Sequence, residues 1–287
     1  MKSYPIAFAD IQDKKLNQVI LDITQAYPIR YIICWAVNKT CNEKVSCFTG
    51  HDRQYNKHFF LLVITTDNTR IEYELQDYVN QKHANDSFGI NLISHGYKTV
   101  KEAIENASRF FNTVCKNGVL LYSSDGFQMR FDYPELDMDK TLAIAGKHFA
   151  YRYDMAEGFL LAAEHCLDSD HNNHVAFFLH QCIEQACIAM IRVFMAYRTK
   201  THKLSRLLDF CCCFSMEPIV MFQSANNTNN RLFDLLQQSY SDARYLDDYK
   251  VTSEEAENMY QLAHGFLALT KRLCGVRLAV IESGIMK

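Results

Sequence analysis

Apolar residues are arranged differently in the two halves of the chain. Near the N-terminus, Leu16, Val19, Ile20 and Ile23 recur at helical spacing behind Asp10, which is placed to cap them, until Pro28 ends the run. Two runs rich in β-branched and aromatic residues follow, Ile29–Val37 and His58–Thr65, separated by a polar stretch that reads as a loop. Continuous apolar strands of this kind predict a sheet covered on both faces. Residues 71–83 read as a helix and residues 88–94 as a third strand. Thr99 and Glu102 form a capping-box pattern ahead of one helix through Val100, Ala103, Ile104, Ala107, Phe111 and Val114. Gly118 stops that helix, and Val119–Tyr122 reads as a last strand.

Beyond a turn-rich boundary around Pro134 the period is helical throughout. Ala145, Phe149, Tyr153, Ala156, Leu160 and Ala163 share one helix face. The stretch from His174 to Tyr197 is apolar on nearly every side, so it must be buried, and at roughly 35 Å it is long enough for other helices to pack around it. A helix opening near Thr201 carries Leu204, Leu207 and Leu208 and continues through Cys211–Cys213. Pro218 starts another, 226–230 is a polar loop or cap, and Leu232–Tyr240 is helical. Thr252 with Glu255 caps a final helix through Met259, Leu262, Phe266 and Leu273. The pattern therefore predicts an α+β protein of two domains, a small α/β domain over 1–132 and an all-α bundle over 133–287.

Composition narrows this picture. With 48% hydrophobic residues and only ten Gly and four Pro, the chain has the material for compact cores. A net charge of −3 supplies no global attraction to nucleic acid or anionic membrane, so any such binding rests on a local patch. Eleven cysteines, several inside helical apolar patterns, read as reduced buried thiols of a cytoplasmic protein. A membrane span is not expected, because His180, Gln181, Glu184, Gln185 and Arg192 interrupt the apolar helix.

Three features of the helical half occur in order: the Gln181/Glu184 pair on the central helix, His202 opening the next helix with Leu204 and Leu207, and Arg244-Tyr245 ahead of the last helix. On these the segment over roughly 140–275 resembles the HEPN domain, a helical bundle often fused or paired with a minimal nucleotidyltransferase. The N-terminal half more faintly resembles that nucleotidyltransferase partner, in which a Gly-Ser turn and an Asp-x-Asp strand serve the reaction. Laid on this chain, the motif puts Ala36 and Val37 at the Gly-Ser positions, His58 and Phe60 at the aspartates, and Asn91 at a third carboxylate. Phosphoryl chemistry of that kind needs carboxylates to hold Mg²⁺ between phosphates, and neither phenylalanine nor neutral histidine supplies hard oxygen ligands. The resemblance thus implies a nucleotidyltransferase-like domain without its activity, a pseudoenzyme needing no cofactor.

Some HEPN domains that resemble this one are metal-independent ribonucleases with an Arg and a His separated by four to six residues. Histidine would take the 2′-hydroxyl proton while arginine holds the phosphate. Here Arg198-Thr-Lys-Thr-His202 has three residues between. The plainer reading makes Arg198 and Lys200 a solvated turn, with His202 capping or pinning the following helix. Arg244, beside Tyr245 and with Lys203, is a candidate phosphate ligand with the ring on a base, or equally a structural partner of Asp242, Asp247 or Glu184. Asp168, Asp170, His171 and His174 read as a hydrated turn, and Cys41, Cys47 and His51 lack zinc-site spacing.

Together these readings give a non-catalytic binding or regulatory protein for a nucleotide, RNA or a protein partner. The candidate binding residues are Arg198, His202, Lys203, Arg244 and Tyr245. No catalytic residue, metal or membrane contact is expected, and a homodimer through the bundle is. The alternative is a metal-independent HEPN endoribonuclease whose residues meet across a dimer.

Overall fold

The computed structural model describes residues 11–48, 50–67, 69–83, 88–126, 129–223, 228–241 and 248–284. The chain forms two compact units, one up to Leu136 and one from Asp137 onward.

The first unit is a four-stranded mixed sheet with helices on both faces. Its strands are β1 (Ile29–Ser46), β2 (Gly50–Thr65), β3 (Phe88–Gly96) and β4 (Val119–Ser123), in the order β3-β2-β1-β4. β1 runs antiparallel to β2 and β4, and β2 runs parallel to β3. Phe59 to Ile64 are fully buried because β2 is central and covered on both sides. Helices α1 (Lys14–Ala26) and α2 (Glu72–His83) cover one face, where Leu16, Val19 and Ile23 meet Phe59, Leu61 and Val63. Helices α3 (Tyr97–Glu105) and α4 (Arg109–Asn117) lie on the other, with Phe110 edge-on to Trp35. Asp22 ties α1 to α2, accepting from Gln18 Nε2 at 2.9 Å, His83 Nε2 at 3.1 Å and Lys82 Nζ at 3.1 Å.

The second unit is helical throughout its described residues. It contains α5 (Met138–Asp168), α6 (Asn172–Met195), α7 (Leu204–Cys211), α8 (Glu217–Val220), α9 (Thr228–Ser239) and α10 (Ser253–Glu282). α6 is the centre, packed by α5, α7, α9 and α10, and an apolar surface all round is what such a position requires. Among the described residues it is the one helix long and apolar enough to cross a membrane, and 72% of its most apolar window is buried inside the protein. The capping box of α10 forms as the pattern predicts: Glu255 N donates to Thr252 Oγ1 at 3.2 Å and Thr252 N to Glu255 Oε2 at 3.0 Å. Asn173 anchors the approach to α10, donating to Tyr249 O at 2.7 Å and accepting from Val251 N at 3.0 Å.

The structure departs from the pattern reading in five places, the first being that Thr228–Asn230, expected in a polar loop or cap over 226–230, open α9, while 226 and 227 lie outside the described residues. Asp13, not Asp10, caps α1, accepting from the amides of Lys15 and Leu16; Asp10 lies outside the described residues. The polar stretch after Val37 is not a loop, since β1 and β2 continue as a hairpin to the Ser46–Gly50 pair, where backbone pairing needs no apolar face. The single helix expected from Thr99 to Val114 is two, because Ala107 adopts a left-handed φ of 56° and breaks the ladder. No capping box forms there: α3 begins at Tyr97 with Gly96 as its cap, and Thr99 falls inside the helix. Finally, Cys212 is the cap of α7, so Cys212 and Cys213 lie beyond the helix rather than in it. All eleven cysteines are free thiols.

Gly118 is where α4 hands the chain to β4, and a Cβ there would stand 2.5 Å from both Ile33 Cγ2 and Val114 O. Gly118→Ala should therefore cost about 1–3 kcal/mol by overpacking. Gly158→Ala, in open space on α5, should instead stabilise by about 0.5–1 kcal/mol through helix propensity. Urea titrations of both variants against the parent chain check the opposite signs.

Candidate functional site

Burying α6 carries polar residues inside with the apolar ones. His180, Glu184 and Gln185 are all under a tenth exposed. His180 and Glu184 are four residues apart and share a face. Glu184 Oε1 lies 3.0 Å from Nδ1 of His202, which supplies the donor a carboxylate needs. His180 Nδ1 stands 4.0 Å from Glu184 Oε2 but is 3.1 Å from Gln181 Nε2, so its hydrogen-bonding direction goes to the amide. Among the described residues Glu184 Oε2 has no hydrogen bond. Burial pushes the Glu184 carboxyl above its ordinary range, and the His202 hydrogen bond and the charges of His202 and Arg152 only partly pull it back.

Tyr240 completes the cluster from the end of α9. Its ring stacks on His202 at 5.5 Å with 7° between planes, and lies 5.1 Å from His180. Ser239 holds that end of α9 against α6 by donating to Ala176 O at 3.1 Å. The His202 side chain is 57% exposed. The result is an imidazole fixed by a buried carboxylate on one nitrogen, backed by a tyrosine ring and open to solvent.

Of the sequence candidates, His202 is thus pinned to α6. It does not cap α7, whose first turn follows Lys203, with Thr201 Oγ1 accepting from Lys203 N at 3.2 Å. Lys203 is exposed beside it. Arg198 is exposed and bears on Arg192, whose guanidinium is held below its ordinary value by burial first and then by Arg198 and Arg152. Arg244 and Tyr245 lie outside the described residues. Sequence reasoning missed Tyr240 and Arg152 altogether. Arg152 on α5 donates to Gln185 Oε1 at 2.5 Å, a contact between helices that no local motif announces.

In the first unit, Ala36, Phe60 and Asn91 sit side by side across β1, β2 and β3. His58 stacks on Phe60 at 4.8 Å, and its ring so fills the space over Gly89 that a Cβ there would stand 2.5 Å from Nδ1. Burial holds His58 below its ordinary value, hence neutral. Neither side-chain atom of Asn91 has a hydrogen bond within the described residues. This row contains no carboxylate, and the one neutral amide oxygen of Asn91 does not fit Mg²⁺, which is held through one or two carboxylates. Among the described residues no group of three His, Cys, Asp or Glu is arranged to hold any metal, including around Asp168, Asp170, His171 and His174.

Because the folded pKa of Glu184 is raised, the charged form opposes folding at neutral pH, and that cost disappears as pH falls through the raised value toward 4.5. Glu184→Gln keeps an acceptor for His202 without the charge. Its melting temperature should equal or exceed the parent's at pH 7.5, with any advantage vanishing near pH 4.5. A large loss at pH 7.5 would mean that the ion pair outweighs desolvation.

No curated protein sequence matches this chain. Among solved structures it is similar to a nucleotidyltransferase-like protein from Exiguobacterium sibiricum 255-15, at 14% identity over 92% of this chain and 78% of that one, with a TM-score of 0.30. Residues 149–273 match the HEPN family. That range begins inside α5, takes in the Glu184–His202–Tyr240 cluster and ends inside α10, so the helical unit of this chain carries a HEPN domain.

Proposed function

We propose that this chain is a non-catalytic binding or regulatory protein in which the HEPN bundle recognises an anionic ligand, a nucleotide or RNA. The observation that carries the reading is the divergence of Arg198 and His202. His202 is bonded to the buried Glu184, whereas the charge that Arg198 acts on is that of Arg192. A ribonuclease pair must meet at one phosphate, with base and cation on the same reacting group. Lys203, and Arg244 with Tyr245, complete the proposed binding set. The α/β unit is proposed as a degenerate nucleotidyltransferase-like domain, supported by the neutral row of Ala36, Phe60 and Asn91.

The endoribonuclease reading keeps one observation in its favour. A carboxylate on Nδ1 orients an imidazole so that Nε2 faces outward as a base, and His202 is more than half exposed. A second copy of the chain would then have to bring the cation. Homodimerisation through the bundle is part of the proposal, supported by Ile144 and Tyr151 standing 46% and 59% exposed on one side of α5.

Three measurements test this function. Single-stranded RNA incubated with the protein in EDTA should stay intact; cleavage lost on His202→Ala would establish the nuclease instead. Labelled nucleoside triphosphates with Mg²⁺ and RNA or protein acceptors should give no transfer, and metal-dependent labelling would overturn the degenerate assignment. Light scattering should report about twice the chain mass of 33.3 kDa.

A further inference from the structure

A cleft opens between α7, α8 and α9, lined by none of the residues of the Glu184–His202–Tyr240 cluster. Ser205, Leu208 and Asp209 stand at i, i+3 and i+4 on α7, and Asn230, Phe233 and Asp234 repeat that spacing on α9, so each helix presents one face that ends in an acid. Ile219 of α8, with Phe222 and Gln223 just after it, closes the third side. The cleft has a volume of about 220 Å³. Two hydrogen bonds brace its walls: Ser205 N donates to Gln237 Oε1 at 3.3 Å, and Asn229 Nδ2 donates to Met221 O at 3.0 Å. Its apolar part is firmly packed, because Leu208 and Phe222 are buried and the Phe222 ring lies 4.9 Å from Phe233 and 5.4 Å from Phe266.

The charge of the cleft has one sign. Its lining includes two carboxylates and no Lys, Arg or His. Burial pushes the Asp209 carboxyl up to about 6, only the charge of Arg206 pulls it back, and among the described residues no hydrogen bond reaches it. The Arg206 guanidinium lies 5.4 Å from the Phe210 ring centroid. Glu184 has His202 as its donor, whereas Asp209 is left facing the cleft. A carboxylate withdrawn from water without a donor is costly, and a cation entering the cleft relieves that cost. The lining also selects the kind of cation. Among the described residues no group of three His, Cys, Asp or Glu is arranged for a metal, and a hydrated metal ion gains nothing from Leu208, Ile219, Phe222 and Phe233. Since a cavity of about 150 Å³ holds benzene, this one has room for a ring with a short substituent.

We propose that this cleft binds a small arylalkylammonium ion, with the ammonium held by Asp209 and Asp234 and the ring packed on Phe222 and Phe233. A primary ammonium has three donors, which two carboxylates and the Gln223 carbonyl oxygen satisfy, and the faces of the phenylalanine rings attract the same charge. The site is independent of the anion-binding reading above, and the two stand or fall separately.

The test is titration calorimetry of the full chain with phenethylamine and with 2-phenylethanol, a neutral molecule of the same size. The amine should bind at least about tenfold more tightly than the alcohol, and Asp209→Asn or Asp234→Asn should each weaken the amine about tenfold while leaving the alcohol unchanged. Both variants keep the shape of the side chain, and melting temperatures no lower than the parent's show that they fold. The charged groups around Asp209 are Arg206 on its own helix and Asp234 across the cleft, and the nearby Cys212 thiol is pushed up to about 12 and stays neutral. Lowering the pH from about 7.5 to about 5 should therefore protonate Asp209 and weaken the amine about tenfold in the parent, a loss that Asp209→Asn should largely remove. Equal affinity for amine and alcohol in the parent would overturn the proposal in favour of a plain apolar cavity. Amine binding that neither variant weakens would overturn the location, and no amine binding at millimolar concentration would overturn the site outright.

Discussion

A carboxylate inside an apolar helix has few ways to exist, and Glu184 uses one of them. α6 must be buried because nearly every face of it is apolar, and burial takes Glu184 with it. An isolated charge there would cost several kcal/mol, so a donor has to reach it. His202 does so from the connection after α6, which fixes where the chain enters α7 and where Tyr240 finds a ring to lie against. The site of the bundle is thus a by-product of satisfying one buried acid. A solvent-facing imidazole with a fixed tautomer is what remains at the surface.

The α/β unit presents the reverse situation. Its sheet is apolar on both faces, yet His58 Nε2, Trp35 Nε1 and both polar atoms of Asn91 are buried without a hydrogen bond among the described residues. Each such group costs about 1–3 kcal/mol. A stability-driven sequence would replace them with Leu or Phe, as β2 does at the neighbouring Phe59 and Leu61. They lie within a few residues of one another on β1, β2 and β3, with Asn91 beside Phe60 in register and the rings of His58 and Trp35 both packed near Phe60.

Much of the architecture was legible because it follows from periodicity and capping, which are local. The buried strands Ile29–Val37 and His58–Thr65, the all-round apolar α6 and the Thr252–Glu255 capping box each depend on residues within a few positions of one another. The HEPN resemblance rested on the order of such local features, and residues 149–273 match that family. Where reading failed, backbone conformation rather than side-chain pattern was deciding. Ala107 breaks a helix whose apolar spacing continues unbroken, and the polar end of the β1–β2 hairpin pairs through its backbone alone.

The chemistry of the site divides along the same line. Sequence by itself determined that Glu184 would be buried and need a partner, and that His202 and Arg198 lay close enough in the chain to be weighed as a pair. Only the tertiary structure decided that His202 is that partner, that Arg198 bears instead on Arg192, and that Tyr240 and Arg152 belong to the neighbourhood at all. Helix packing brings together residues separated by eighteen to more than fifty positions, and no period or motif encodes which side chains will meet across such an interface.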